Sequence, residues 1–220
     1  MPYRFTKRTG GHSHGAFASL NLAMHVGDSE PIVAQNRLIA DNYFTPVQYM
    51  NQVHGNRIAI IEEQSFEAPT ADALVTGIPG ITLAVMVADC IPLLLASKEV
   101  VAAVHVGRKG LMNSITPATI ELMREMGATT IQAIMGPSIC GKCYEVSADI
   151  YQELIAVHPM AKSSTPQGTF SLDLPAALRN VLQEESISIV DEFSCTVEDT
   201  ELFSYRRDGV TGRQAGLVSL

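Results

Sequence analysis

The sequence predicts an α/β fold, in which a layered α-β-α arrangement places helices around a mixed β-sheet. Residues 1–220 are expected to form a single domain. Two observations lead to this prediction. Short apolar runs typical of buried strands alternate with segments whose apolar residues recur at helical spacing. The alternation is clearer after residue 110 than before it, which favours a mixed sheet over a purely parallel one.

Strands account for most of the first half. Segment 46–55 begins as a strand and ends in a glycine turn, and 57–62 is a short β-rich run. The long apolar stretch 71–96 contains two or three strands that are broken at 77–80. Segment 100–107 is a strand that ends in glycine.

Helices are predicted mainly in the second half. Segment 112–127 has helical spacing, and Gly127 is a natural C-terminal cap. Segments 147–158 and 172–186 also have a helical pattern, the latter with Asp173 as its N-terminal cap. Segments 129–139 and 187–196 are strand-like, and 158–170 is predicted to be a surface loop.

The composition excludes several classes of protein. Hydrophobic residues make up 46% and charged residues 17%, unlike a disordered chain, and the net charge of −8 argues against non-specific nucleic-acid binding. The N-terminus lacks the apolar core of a signal peptide, and no run reaches the roughly 20 apolar residues of a membrane helix. We therefore expect a cytoplasmic protein without membrane partners, whose four cysteines are reduced.

Three potential metal ligands stand near strand ends. His54 ends "NQVHG", Cys90 follows "LAVMVAD" and His105 ends "VVAAVH". Two imidazoles and one thiolate are a typical ligand set for catalytic Zn²⁺, with a fourth position left for water or substrate, although the same ligands also suit copper. The residues also allow a simpler interpretation, in which Cys90 is inert core and each histidine is a satisfied polar group. Asp89 is either an acid that orients an imidazole or a strand-end cap.

Other segments offer candidates for substrate binding. The N-terminal loop contains glycines whose amides suit an anion, with Arg8 adding charge, and Ser13 and Asn21 are polar groups of the same region. Arg206 lies among the arginines of the tail, which suit phosphate or carboxylate but also fit a solvated basic patch. Asp72 is a candidate for moving protons.

The segment "GPSICGKCYEV" contains a Cys-x-x-Cys pair, Cys140 and Cys143, followed by Tyr144 and Glu145, which read as site lining. This spacing can bind zinc, but a closed site needs a second pair, and the remaining thiols, Cys90 and Cys195, do not form one in sequence. A thioredoxin-like redox role is the alternative.

The motifs taken together resemble the multicopper polyphenol oxidase (laccase-like) family, also known as the purine nucleoside phosphorylase-like or peptidoglycan editing factor family. The resemblance covers nearly the whole chain. The matching motifs occur in the family's order: "TKRTGGHSHGAFASLNLAMHVGD", "NQVHG", "ADALVT", "ADCIPLLL", "AVHVGRKGL", "GPSICGKCYEV" and "FSYRRDGVTGRQAG".

The resemblance implies a metal site formed by His54, Cys90 and His105, with zinc as the usual metal. It also implies phosphorolysis of adenosine, inosine and methylthioadenosine, with adenosine deamination as a further activity. The chain departs from the family at Arg108 and Lys109, where relatives commonly carry Trp-Arg. Lys142 replaces the first of the family's paired cysteines, which makes Cys140 look incidental, whereas Cys143 matches the second.

The resulting hypothesis is a zinc-dependent purine nucleoside phosphorylase that binds a nucleoside and phosphate. The protein is expected to be a monomer or a homodimer. Arg8 or Arg206 would neutralise phosphate, and Glu145 or Asp72 would move protons. The alternatives are a cysteine hydrolase or amidase that edits cell-wall peptide precursors, with Cys90 as nucleophile, a copper-dependent polyphenol oxidase, and a non-catalytic zinc module.

Overall fold

The structure is a computed structural model that describes residues 2–44, 46–65 and 67–220. Its strands are β1 (Tyr3–Phe5), β2 (Val47–Gln48), β3 (Ile58–Ile60), β4 (Ala73–Thr76), β5 (Thr82–Val87), β6 (Ile91–Ala96), β7 (Val101–Val106), β8 (Gln132–Met135), β9 (Lys162–Ser164), β10 (Phe170–Leu172), β11 (Ser188–Asp191) and β12 (Gln214–Ser219). Its α-helices are α1 (Glu30–Asp41), α2 (Arg108–Met112), α3 (Ile115–Glu125), α4 (Ala148–Val157), α5 (Leu174–Glu184) and α6 (Tyr205–Asp208).

Two large sheets carry the fold. A six-stranded sheet has the order β11-β8-β6-β7-β4-β3, and its strand pairs are both parallel and antiparallel. A four-stranded sheet has the order β1-β12-β5-β2, so that the last strand of the chain lies between the first strand and β5. A small hairpin pairs β9 with β10. None of the helices in the described ranges is long and apolar enough to cross a membrane.

The core has three apolar layers. Between the two sheets, Leu83 and Val85 of β5 pack against residues such as Leu94 of β6. The opposite face of the six-stranded sheet is covered by α3, α4 and α5, and the opposite face of the four-stranded sheet by α1 and the segment 20–23. Strands β5, β6 and β7 are therefore buried on both faces, which explains their continuous apolar sequences.

The predicted α/β class and the mixed character of the sheet are confirmed. The structure adds a second sheet, so helices flank two stacked sheets. The predicted surface loop 158–170 is wrong in part, because Lys162–Ser164 and Phe170–Leu172 form the β9–β10 hairpin. Its turn is closed by hydrogen bonds between Thr165 and Thr169, among them one between their hydroxyl groups at 2.7 Å. Helix α1 was not predicted.

Candidate metal centre and cavity

The antiparallel pairing of β6 and β7 brings Cys90 and His105 together. Ile91, the first residue of β6, is opposite Val106, and Pro92 is opposite His105, so the residue that precedes β6 lies beside the end of β7. His54 reaches the same point from the turn that follows β2. The Cys90 Sγ and the His54 Nε2 are 4.0 Å apart, and one ligand atom from each of the three residues lies within 4.8 Å of the others.

A buried carboxylate, Asp72, organises two of the three potential ligands. Its Oδ1 lies 2.8 Å from Nδ1 of His105 and accepts a 2.9 Å hydrogen bond from the backbone N–H of His54. Its Oδ2 accepts from the backbone N–H groups of Gly55, at 2.7 Å, and Val53. Asp72 is fully buried, so these contacts replace its hydration. His105 consequently keeps Nε2 for a ligand, and Asp72 rather than Asp89 orients an imidazole.

The backbone at His54 has a φ of 58°, a left-handed conformation that is uncommon outside glycine. Such a conformation costs on the order of 1–3 kcal/mol and persists only where the surroundings enforce it. Here the enforcement comes from the hydrogen bonds between the turn and Asp72. The turn therefore holds the His54 side chain over the cavity.

The thiol and imidazole influence each other's protonation. Burial raises the pKa of Cys90, but the adjacent His105 and then His54 lower it by more, to about 6. Burial lowers the pKa of His105, but Cys90 and Asp72 raise it by more, to about 9. Without a metal ion, the group is consequently a thiolate beside an imidazolium at neutral pH.

Gly107 is part of the site because of its size. A Cβ atom at this position would lie 2.9 Å from Sγ of Cys90 and 3.6 Å from Cδ2 of His54. The first distance is too short for a side chain, so the close approach requires glycine.

The three potential ligands open into a cavity of about 400 Å³. Its wall also contains His25 and Gln52. Most of the remaining lining is apolar, aromatic or cationic, as at Met86, Ile139, Tyr144, Tyr205, Arg206 and Arg213, and Asp89 adds one carboxylate. Such a mixture of flat apolar surface and cationic groups suits a ligand with a planar ring and an anionic part.

Arg206 is held beside the cavity by two contacts. Its Nη1 donates a 2.7 Å hydrogen bond to the carbonyl oxygen of Glu145, and its guanidinium carbon lies 5.2 Å from the centre of the Tyr144 ring. Arg213 donates from Nη1 to the carbonyls of Thr211 and Gly212. The remaining guanidinium donors of these two arginines are available for an anion.

Hydrogen bonds to Asp89 hold the segment 196–206 beside the site. The Asp89 carboxylate accepts hydrogen bonds from the hydroxyls of Thr196 and Ser204, at 2.7 and 2.6 Å, and from the backbone N–H of Arg206 at 2.6 Å. Arg207 is not part of the described lining and donates to nearby carbonyls, among them those of Thr196 and Leu202. These contacts set the position of Arg206.

Six of the eight predicted substrate-binding residues lie outside the described lining of the cavity. Three of them, Arg8, Ser13 and Asn21, lie near the N-terminus. The Ser13 hydroxyl donates to Asp28 at 2.6 Å, and the Asn21 amide donates to the same carboxylate at 2.9 Å. Arg8 donates from Nε to the carbonyl of Ala18 at 3.0 Å. These side chains join loops to one another near the N-terminus.

The other residues that the sequence singled out lie in several different surroundings. Tyr144 lines the cavity, whereas the Glu145 side chain is exposed and its carbonyl binds Arg206. Arg108 begins α2 and pairs with Glu153 at 3.5 Å. Cys143 belongs to a second group of potential ligands with Cys140, Cys195 and Glu198. Cys140, which the sequence comparison made look incidental, thus lies among these potential ligands.

Sequence reasoning did not select Gln52, although it precedes His54 in "NQVHG". Its side-chain amide donates a 2.7 Å hydrogen bond to the carbonyl of Met86, and its Oε1 accepts from the Met86 N–H at 2.9 Å. Gln52 thus connects the turn that contains His54 to β5 through two hydrogen bonds. His25, Tyr205 and Arg213 lie in segments that carry the family resemblance, but they were not among the predicted site residues.

Comparisons with known proteins agree over the full length. A family model described as multi-copper polyphenol oxidoreductase laccase matches residues 2–220. A purine nucleoside phosphorylase of Corynebacterium glutamicum is 44% identical over 230 residues, which cover 98% of this chain and 93% of that protein. A purine nucleoside phosphorylase of Streptomyces coelicolor is 41% identical, with coverage of 99% and 95%.

Solved structures show the same fold. The crystal structure of a Neisseria meningitidis protein superposes with a TM-score of 0.90 at 36% identity and covers 99% of this chain and 93% of that one. A Geobacillus stearothermophilus protein gives a TM-score of 0.88 at 31% identity, with coverage of 98% and 90%. By sequence and by structure, the chain belongs to the multi-copper polyphenol oxidoreductase laccase family.

Proposed function

We propose that the protein is a purine nucleoside phosphorylase that transfers the ribosyl group of inosine, adenosine or methylthioadenosine to phosphate. One observation carries the proposal. The His54–Cys90–His105 group, oriented by buried Asp72, lies in a cavity that also presents aromatic rings and arginines. Relatives with 38–44% identity over nearly the full length are named purine nucleoside phosphorylases, which supports this activity.

The potential ligands fit a metal ion. Nδ1 of His105 faces Asp72, which leaves Nε2 for coordination, and the Cys90 thiol has a lowered pKa. Two imidazoles and a thiolate occupy three positions of a tetrahedral site and leave the fourth open, which favours Zn²⁺. Copper is the alternative metal, because the same ligand types bind it. When bound, the ion would supply a positive charge that polarises a substrate oxygen.

The cavity residues have separate roles in this proposal. Arg206 and Arg213 line the cavity and bind phosphate through their guanidinium groups. Arg8, the other predicted phosphate ligand, lies outside the described lining. Tyr144 and Tyr205 provide ring surfaces for the purine. During phosphorolysis, the bond between the ribose and the purine nitrogen breaks, a bond from phosphate oxygen to the same carbon forms, and the base gains the proton that hydrogen phosphate gives up. Asp72 acts as a positioning residue for His105.

A cysteine hydrolase is the second candidate, because the contacts of His105 with Cys90 and with Asp72 favour it. Cys90, His105 and Asp72 follow one another as a thiolate, an imidazole and an orienting carboxylate, which is the order found in nucleophilic cysteine enzymes. Such an enzyme would cleave an amide, for example in a cell-wall peptide precursor. Adenosine deamination in the same cavity is a further activity to test.

A copper-dependent polyphenol oxidase has weaker support. Four-electron reduction of oxygen normally requires several copper centres. Within the described ranges, His54, Cys90 and His105 form the one potential metal group that contains histidine. The family's description is the argument in favour.

A direct assay separates the candidates. The purified protein is analysed for bound metal and incubated with inosine and phosphate, and then with adenosine, a phenol and a cell-wall peptide in parallel. Formation of hypoxanthine and ribose 1-phosphate in equal amounts, lost after chelation and restored by Zn²⁺, supports the phosphorylase. Amide cleavage that survives chelation supports the hydrolase. We place the enzyme in the cytoplasm, as a monomer or a homodimer.

A further inference from the structure

We propose that Cys140, Cys143, Cys195 and Glu198 form a second metal site, a structural site for Zn²⁺. One potential ligand atom from each residue lies within 4.8 Å of all the others. The thiol of Cys143 and Oε1 of Glu198 are 3.7 Å apart. This group shares no residue with the His54–Cys90–His105 group, and the inference does not depend on the proposed activity.

The backbone brings the two ligand pairs together. Ser138 and Cys195 form a parallel β-bridge, in which the N–H of Ser138 donates to the carbonyl of Ser194 and the N–H of Thr196 donates to the carbonyl of Ser138, each at 3.1 Å. Cys140 follows this bridge by two residues, and Cys195 is part of it. The proximity of the pairs is therefore set by main-chain hydrogen bonds and not by the flexible side chains alone.

Each pair is presented by a tight turn. The N–H of Cys143 donates to the carbonyl of Cys140 at 3.1 Å, and the N–H of Glu198 donates to the carbonyl of Cys195 at the same distance. Both pairs thus have ligands three residues apart, and each turn directs its two ligands toward the other pair. The Cys-x-x-Glu pair is the partner that the Cys-x-x-Cys pair needs to close a four-ligand site.

The distances fit a tetrahedral ion. A Zn–S bond of about 2.3 Å places tetrahedral ligand atoms about 3.8 Å apart. The observed separations are at most 4.8 Å, within about 1 Å of this value, and the Cys143–Glu198 distance of 3.7 Å already matches it. Three thiolates and a carboxylate leave no open position, so the site would serve structure rather than catalysis. The soft sulfur ligands favour Zn²⁺ over Mg²⁺ or Ca²⁺.

A metal ion here would join two walls of the cavity. The turn with Cys143 leads directly to Tyr144, which lines the cavity. The turn that begins at Cys195 includes Thr196, whose hydroxyl binds Asp89, the acid that also holds the N–H of Arg206. The ion would therefore fix the spacing between Tyr144 and Arg206 without touching substrate.

Metal stoichiometry tests the proposal. The zinc content of the folded protein, isolated by size exclusion under reducing conditions, is measured for the wild type, for Cys90→Ala and for the double variant Cys140→Ser/Cys143→Ser. We expect two zinc ions per chain in the wild type and one in each variant. Glu198→Gln should weaken binding of the second ion at least tenfold in a chelator titration. Glu201→Gln, the same change at an exposed acid three residues away, should not.

Cobalt provides a readout that does not depend on folding yield. In the Cys90→Ala background, Co²⁺ bound by three thiolates should give an intense thiolate-to-metal absorption band in the near ultraviolet, and the Cys140→Ser/Cys143→Ser substitutions should remove it. The proposal is overturned if the wild type and the double variant bind equal amounts of zinc. A disulfide between Cys140 and Cys143 that persists in the zinc-loaded protein isolated with a reductant would overturn it as well.

Discussion

Nδ1 of His105 lies 2.8 Å from Oδ1 of Asp72, in a part of the protein where Asp72 is fully buried. Burial raises the pKa of Asp72, but its hydrogen bonds with His105 and with backbone N–H groups lower it by more. The carboxylate is therefore ionised and can only accept, so Nδ1 donates. In the neutral imidazole that binds a metal ion, this contact keeps the proton on Nδ1 and leaves Nε2 free on the side of Cys90 and His54.

We predict that Asp72→Asn weakens metal binding 10- to 100-fold, the usual effect of losing the partner of a ligating histidine. The amide would direct an N–H group either at backbone N–H groups, which cannot accept, or at Nδ1 of His105, which accepts only in the tautomer that protonates the metal-binding Nε2. The affinity is measured by competition with a chelator. The matched control is Asp149→Asn, the same change at an exposed acid in α4. Equal affinity in both variants would contradict the role of Asp72.

The reactivity of Cys90 in the metal-free protein should depend weakly on pH above neutrality. Because its pKa is lowered to about 6, the thiol is already ionised at pH 7, and alkylation should accelerate as pH rises through 6 and then level off. An ordinary thiol would still gain roughly eightfold between pH 7 and pH 8.

Cys143 provides an internal control in the same experiment. Burial and then the neighbouring thiol of Cys140 raise its pKa, so its alkylation should still increase above pH 8. Peptide mass spectrometry resolves the two sites. A Cys90 rate that rises roughly eightfold between pH 7 and pH 8, as for an ordinary thiol, would exclude the thiolate–imidazolium pair.

Arg206→Ala should raise the KM for phosphate about 10- to 100-fold, which corresponds to the roughly 1.5–3 kcal/mol of a charged hydrogen bond. The KM for the nucleoside should change less, because the arginine is assigned to the anion. Steady-state kinetics at varied phosphate measures both values. Arg124→Ala removes an arginine that pairs with Glu185 on the surface and should leave both unchanged. An unchanged KM for phosphate would remove Arg206 from the proposed site.

Gly107→Ala should lower the affinity for metal with little loss of folded protein. The added methyl group would lie 2.9 Å from the Cys90 sulfur and would displace it from the two imidazoles. Metal content and thermal unfolding are measured together. A variant that retains full metal content would contradict the close approach of Gly107 to the thiol.

The fold was predicted in part. The apolar runs of β5, β6 and β7 and the helical spacing of α3, α4 and α5 are local signals, and the structure confirms them. The second sheet was not predicted because it depends on non-local pairing, since β12 lies between β1 and β5. No local pattern in the tail reveals that partnership. The single-domain organisation stays a prediction.

The candidate site, like the fold, was predicted only in part from the sequence. The sequence predicted that His54, Cys90 and His105 form one group, and the structure brings them together, although their role in metal binding stays a prediction. The orienting function of Asp72 could not be read from sequence, because it depends on how β4 lies beside the histidine turn. The partnership of Cys143 with Cys195 was missed because the second ligand pair ends in a glutamate.

The central claim is that the His54–Cys90–His105 group binds a metal ion that is required for phosphorolysis. The most direct measurement compares the wild type and Cys90→Ala for bound metal and for conversion of inosine and phosphate to hypoxanthine and ribose 1-phosphate. The account predicts that the variant loses both the ion of this group and the activity. Full phosphorolysis by folded Cys90→Ala would contradict it.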